Sequence, residues 1–399
     1  MEGKQKFLLI LILGLLSAIG PFSIDMYLPG FPGIAKDLNT TVAEVSLSLS
    51  SFFIGVSAGQ LIYGPLLDRF GRKRPLFVGL TIYIITSIGC VFANTVHVLI
   101  VLRLFQALGS CAGMVAARAL VRDIFPVEEN AKVFSTLMLV IGVSPIIAPT
   151  LGGYISSSIG WHYIFVVLAA MGLAILLLAL LIMPGGREPD TAMSLMPAPI
   201  ITNFVSVLKE PQFITYSFAG AAASSGLYAY IAGSPYVFME LYKISEKMYG
   251  WIFAIIAGGL ITCSQLNSLL LRTYRSAQII RVASLCQSLT GLILFAVALA
   301  GMLGAFTTIF LVFVFLCCQG FIFPNSSALS LAPFTRNAGS ASALLGSIQL
   351  GVGTLSSAMV SVLSNHTALP MTGVMALSAL TSFIILRTGA AVIVRREVV

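Results

Sequence analysis

One carboxyl and one guanidinium stand deep inside apolar stretches of this chain, where water is scarce. Asp25 is the only acidic residue within such a stretch rather than at its edge; Glu44 and Glu240 lie near boundaries, and the remaining acids fall in polar segments. Away from water an ionisable group needs a counter-ion, a wet cavity or a proton, so a lone carboxyl there is a candidate for proton transfer. At 1.5 Å per helical residue from Phe7, Asp25 lies roughly 27 Å along its stretch. Two readings stand: a proton-carrying site, or an interfacial carboxylate placed just before Pro29. Arg103 lies seven residues into its own stretch, roughly 10 Å from the same face, the depth expected of Asp25. A carboxyl that a cation favours as charged and an apolar surround favours as neutral is a switchable proton site. The other reading of Arg103 is a structural tether that binds backbone carbonyls.

Three further constellations carry chemical information. Gly64, Asp68, Arg69, Gly71 and Arg72, followed by Lys73 and Arg74, put five charges into seven residues between two apolar runs. Glycine permits a tight hairpin there, and the basic cluster fixes the loop on the inner side of a membrane. The string Pro145-Ile146-Ile147-Ala148-Pro149-Thr150-Leu151-Gly152-Gly153 combines two helix-bending prolines with a close-packing glycine pair. Tyr27, Gln60, Gln106, Tyr228, Tyr230, Gln265, Asn325 and Gln349 are polar or aromatic side chains within apolar runs, suited to lining a cavity for a mostly apolar solute. Arg118, four residues before Arg122, reads as a snorkelling side chain. The six cysteines all sit in apolar stretches and the three histidines are scattered, so neither a disulfide nor a metal site is expected. No P-loop, H-E-x-x-H or nucleophile elbow occurs. The chain is therefore not expected to be an enzyme, to bind a cofactor or to pump with ATP by itself.

The elements that position these residues are dictated by hydropathy. Of 399 residues, 58% are hydrophobic and 9% charged, and mean hydropathy is +1.01, outside the balance of a water-soluble domain. Hydrocarbon tolerates only helices or closed barrels, and unbroken runs such as 164–183 exclude alternating barrel strands. An all-α membrane protein of twelve transmembrane helices follows, with spans near 7–28, 44–67, 75–93, 97–121, 133–157, 162–183, 213–238, 249–271, 278–300, 306–328, 338–364 and 371–393. The run after Lys4 and Lys6 lacks a small-residue cleavage site and reads as a retained first span. Placing both termini in the cytoplasm puts 17 of the 22 Lys and Arg on that side. The formal charge of +8 thus reports topology rather than a nucleic-acid partner. Residues 1–183 and 213–399 form two six-helix halves, joined by a cytoplasmic linker, 184–212, with an amphipathic piece near Ile201 to Leu208. Phe105-Gln106-Ala107 echoes Cys318-Gln319-Gly320, and such repeats place a substrate site at the midplane between pseudo-symmetric halves.

The loop from Gly64 to Arg74 resembles the G-x-x-x-D-R-x-G-R-[KR] motif of the major facilitator superfamily. Ser23-Ile24-Asp25-Met26-Tyr27-Leu28-Pro29, Gly59-Gln60-Leu61-Ile62-Tyr63-Gly64-Pro65, Arg118-Ala119-Leu120-Val121-Arg122-Asp123 and Trp161-His162-Tyr163-Ile164-Phe165 are similar to the Bcr/CflA family of bacterial drug/proton antiporters. The resemblance implies export of small antibiotics such as bicyclomycin, chloramphenicol-type compounds or sulfonamides across the inner membrane, driven by proton entry, by a protein expected to act as a monomer. It implies that Asp25 and Arg103 couple to protons and that Asp68, Arg69 and Arg72 gate. Asp68 is placed to be attracted by a helix N-terminus near Asn337. Ala148 to Gly153 resembles the antiporter motif G-P-x-x-G-G, with Ala148 for its first glycine and Ser144 where another glycine is usual. An importer or facilitator of a small metabolite with the same fold is the alternative.

Overall fold

The apolar runs fold into helices bounded by residues that satisfy or end them. The computed structural model describes residues 3–183, 197–334 and 338–397. Its elements are α1 (Gly3–Asp25), a 3-10 turn (Leu28–Gly30), α2 (Phe31–Asp37), α3 (Val42–Phe70), α4 (Lys73–Val91), α5 (Val96–Ile124), α6 (Val127–Ile159) and α7 (His162–Ile182). After the linker come α8 (Pro197–Leu208), α9 (Pro211–Pro235), a π turn (Tyr236–Leu241), α10 (Glu246–Leu270), α11 (Ser276–Leu299), α12 (Ala305–Leu331), α13 (Ala338–Val362) and α14 (Leu369–Glu397). Counting α1 with α2 and leaving aside α8, twelve long helices result among the described residues. Thr41 and Thr95 cap α3 and α5 by accepting from the Glu44 and Val98 amides, which relieves one of the orphan donors at each start. Gly71, at φ 77°, takes the left-handed turn between α3 and α4 that a side chain would strain.

Two compact units emerge, one of residues 1–196 with 246–251, the other of 197–245 with 252–399. In the first, α5 packs along α3 and α4, α1 along α5 and α6, and α7 along α4. Small residues bring these backbones together: a Cβ on Gly55 would lie 2.5 Å from the Leu104 carbonyl, and one on Gly109 2.6 Å from the Gly79 carbonyl. Close approach is the principal way lipid-solvated helices gain packing energy.

In the second unit α9 is central, packed against α12, α13 and α14, while α11 packs on α12 and α14. Eleven helices among the described residues are long and apolar enough to cross a membrane; α9 is absent from that set. Its composition explains why. It is built of Ala, Gly and Ser with 18 of its 25 residues buried, so it shows little surface to lipid and needs little apolarity. The amphipathic piece expected near Ile201 to Leu208 is α8, whose Val207 packs with Phe213, Ala341 and Leu345. The linker residues Gly185, Gly186 and Pro189, and Asn337, lie outside the described residues.

Candidate functional site

Arg103 is fully buried on α5 and its surroundings account for nearly all of its guanidinium. It donates to Gln106 Oε1 at 2.6 Å and to the Ser23 carbonyl at 2.9 Å. Its cation lies 4.3 Å from the ring centre of Phe52, 4.5 Å from Tyr27 and 6.0 Å from Phe165, contacts worth about 2 kcal/mol each when desolvated. Behind them runs a polar chain. Gln106 Nε2 donates to Ser87 Oγ at 2.7 Å, and Ser87 in turn to the Tyr83 carbonyl. Ser23 Oγ donates to the Ile19 carbonyl, so the Tyr83 hydroxyl, 2.7 Å away, donates to Ser23. The Tyr27 hydroxyl, 2.8 Å from Ser48 Oγ, donates likewise because Ser48 gives its own proton to Val45. The geometry is that of a clamp by which α5 grips the backbone and one face of α1.

Asp25 is not part of that clamp. Ser23 and Tyr27, four residues apart, share a helix face; Asp25, midway between them, sits about 160–200° around at 100° per residue. Tyr27 keeps helical backbone angles, so the count holds through it. Asp25 thus does not share the face that Arg103 grips. Asp25 is 5% exposed, and among the described residues it makes no ion pair and no hydrogen bond. The apolar stretch continues beyond Asp25 through the 3-10 turn and α2 to Asp37.

The string on α6 meets α1 beside Asp25. A Cβ on Gly152 would fall on the Met26 carbonyl, and one on Gly153 would lie 2.5 Å from the Glu246 carbonyl, within the same unit. Ala148 is fully buried, Ser144 is buried and donates to the Ile141 carbonyl, and Pro145 and Pro149 both stand inside α6.

The basic loop is knit by Arg72, which donates to Asp68 Oδ1 at 2.5 Å and to Asp123 Oδ2 at 2.7 Å. Burial would push its guanidinium down, but the hydrogen bonds to Asp123 and Asp68 outweigh that and hold it above the ordinary arginine range. Asp123, on α5, was not among the loop residues expected from sequence. Arg69 lies 5.9 Å from the Phe70 ring. Gly64 corrects the hairpin expectation: it is inside α3 and a Cβ there would meet nothing within 4 Å, whereas Gly71 makes the turn. Arg118 is exposed on α5.

The second unit holds a parallel polar cluster without charge. Gln319 on α12 accepts from Gln287 on α11 at 3.1 Å and donates to Ser224 on α9 at 2.7 Å. Asn325 donates to Asn267 at 2.6 Å, and Tyr230 stacks on Phe253 with centres 5.6 Å apart. Gln349 is buried near Gly220, its Nε2 lacking a hydrogen-bond partner among the described residues. Tyr228 packs on Gly353; Gln60 is half-buried and Gln265 exposed. Of the expected cavity residues, Tyr27 and Gln106 are thus spent on the Arg103 clamp. Ser23, Phe52, Tyr83, Ser87 and Gln287 were not singled out from sequence; the i, i+4 spacing of Ser23 and Tyr27 was the available signal.

A charged clamp in one helix bundle and its neutral counterpart in the other make a repeat architecture, and comparison with known proteins identifies it. The sequence profile of the Major Facilitator Superfamily matches residues 13–358. The chain belongs to this superfamily. Over 370 residues it is 33% identical to a protein of Haemophilus influenzae named bicyclomycin resistance protein homolog, covering 93% of each chain. It is 31% identical over 332 residues to the multidrug resistance protein MdtL of Escherichia coli, covering 83% of this chain and 82% of that one, and 33% identical to the uncharacterized transporter YdgK of Bacillus subtilis, covering 94% of each. A crystal structure of a D-xylose-proton symporter superposes with a TM-score of 0.73 at 13% identity, covering 96% of this chain and 97% of that one. At that identity the likeness is one of fold. The protein is a multi-pass membrane transporter of small molecules, not an enzyme.

Proposed function

We propose that this transporter exports small drug-like molecules across the bacterial inner membrane in exchange for entering protons, working as a monomer with both termini in the cytoplasm. The observation that carries the reading is Asp25: a buried carboxyl inside a span, without ion pair or hydrogen bond among the described residues. With no side-chain cation at hand, a proton or a cationic substrate group is left to neutralise it. Arg103 contributes to coupling by holding the Ser23–Tyr27 face, which keeps Asp25 turned the other way. Gly152 seals α6 against the segment that carries Asp25. Tyr230, Asn325 and Gln349, all buried in the second unit, are the candidate substrate contacts. The names of the relatives support the drug class, and the basic bias of one set of helix ends supports the orientation.

Reconstitution in vesicles of known orientation tests the reading. With an acid lumen, protons run outward and labelled bicyclomycin or chloramphenicol should concentrate inside, on the acid side. Accumulation on the alkaline side, or equilibration without accumulation, would make the protein a symporter or a facilitator.

A further inference from the structure

Where α9, α11 and α14 meet near the linker end of the second unit, they leave a cavity of about 110 Å³. Ile280 and Leu386 form its floor, and both belong to the apolar core shared with Ala219 and Ile322. Tyr216 and Phe383 stand at its sides. Arg281 and Arg387 supply two guanidinium groups to the same space, and Arg387 lies folded over the Phe383 ring at 5.6 Å rather than extended. Among the described residues neither arginine has a carboxylate or a hydrogen-bond acceptor.

Two uncompensated cations over an apolar floor define the ligand's chemistry. Its head is anionic and its remainder is apolar. Size narrows the choice, since about 10–15 Å³ holds one water and drug-sized ligands take about 300–1,000 Å³; this cavity suits a phosphate-sized group. Height agrees. Tyr216 and Arg281 each lie five residues beyond the first residue of their helix, about 8 Å along it, where hydrocarbon gives way to headgroups. The same end of this unit carries Lys209, Arg272 and Arg275, the bias of an inner leaflet facing anionic lipid.

We propose that Tyr216, Arg281, Phe383 and Arg387 form a binding site for the phosphate headgroup of an anionic phospholipid, with one acyl chain lying along α9, α11 and α14. The site is separate from Asp25 and does not depend on what the protein transports.

Native mass spectrometry of the full-length protein, delipidated and then titrated with phosphatidylglycerol or cardiolipin, tests it. The wild type should retain one anionic lipid and no phosphatidylcholine. The double variant Arg281→Gln/Arg387→Gln should bind it about thirtyfold more weakly, at about fivefold per lost cation. Arg272→Gln/Arg275→Gln removes the same charge outside the cavity and should bind as wild type; an equal loss there would reduce the effect to diffuse surface charge and overturn the site. Arg281→Lys/Arg387→Lys guards against a folding artefact: folded protein that no longer holds the lipid would also count against it. Inorganic phosphate at millimolar concentration should displace little lipid. If phosphate alone binds as well, the ligand is a soluble anion and the lipid proposal fails.

Discussion

Ser23 and Tyr27 decide what Asp25 is free to do, because both are held by Arg103 and together they fix the rotation of α1. Removing the clamp and removing the carboxyl should therefore fail in different ways. Asp25→Asn keeps the shape and loses the proton; uphill drug accumulation should drop below about a tenth of wild type, as expected of an intramembrane carboxyl that carries the coupling ion, while drug binding persists. Retained uphill transport in this variant would assign the proton to another group. Arg103→Leu instead strips a donor from Gln106 Oε1 and from the Ser23 carbonyl, at about 1–3 kcal/mol for each acceptor left unsatisfied. Its expected signature is a lowered unfolding temperature together with a loosened proton-to-drug ratio, because α1 then loses the grip that fixes its rotation. A changed ratio in protein of wild-type stability would make Arg103 itself a coupling group. Sequence carried the types of these residues and their places within apolar runs, since hydropathy suffices for that. It did not carry their faces, because rotation of α1 is set by Phe52, Tyr83, Ser87 and Phe165, partners from three other helices.

Helices in this protein meet through glycines, and the space beside each glycine grades its tolerance. Gly152 abuts the Met26 backbone, so even Gly152→Ala places a methyl on a carbonyl that no side-chain rotation can move. We expect the variant to insert and accumulate, since lipid-solvated helices tolerate local separation, but to exchange drug poorly or leak protons; Gly152→Leu should do so more severely. Normal resistance and tight coupling in both would reduce the α6 string to ordinary helix sequence. Gly64 makes the control. With nothing within 4 Å of its Cβ position, Gly64→Ala should raise stability by up to about 1 kcal/mol through helix propensity, and any loss of transport must then come from the transport cycle. The loop next to it sorts similarly. The Asp68 side chain is 44% exposed, so Asp68→Asn should alter unfolding by no more than about 1 kcal/mol. Arg72→Gln, which leaves Asp123 facing Asp68 without a cation, should cost more in thermal unfolding. Equal losses would show that the pair with Asp68, not that with Asp123, holds the loop. The loop's charges were legible from spacing alone; Asp123 was not, because it lies 51 residues from Arg72 and only packing of α5 on α3 and α4 brings it there. The count of spans was legible for a similar reason in reverse. Lipid writes apolarity on helices that face it, and α9, shielded by its neighbours, carries less of it while keeping the uncharged run near 213–238 by which the sequence shows it as a span.

At the scale of the whole molecule, one pattern is used twice with one difference. Gln106 on α5 ties α4 and, through Arg103, α1; Gln319 on α12 ties α11 and α9. The faint repeat of Phe105-Gln106-Ala107 and Cys318-Gln319-Gly320 is thus a repeat of two three-helix clasps, with Leu316 standing three residues before Gln319 where Arg103 stands before Gln106. A chain that needed charge merely to hold helices together would have needed it in both. The neutral clasp shows that glutamine, serine and close packing suffice for the fold, which leaves the charge in the first unit to be explained by Asp25 on the same α1. Gln319→Leu should therefore behave as a lost interhelical hydrogen bond in a membrane, about 0.6–2 kcal/mol of stability, with drug-to-proton coupling intact. Gln106→Leu should cost more, because it also removes the acceptor of a buried cation, and should loosen coupling by letting α1 rotate. Thermal unfolding and proton flux per drug, measured side by side on the two variants, separate the roles. If Gln319→Leu uncouples as strongly as Gln106→Leu, proton coupling is spread over both units and Asp25 is not its seat.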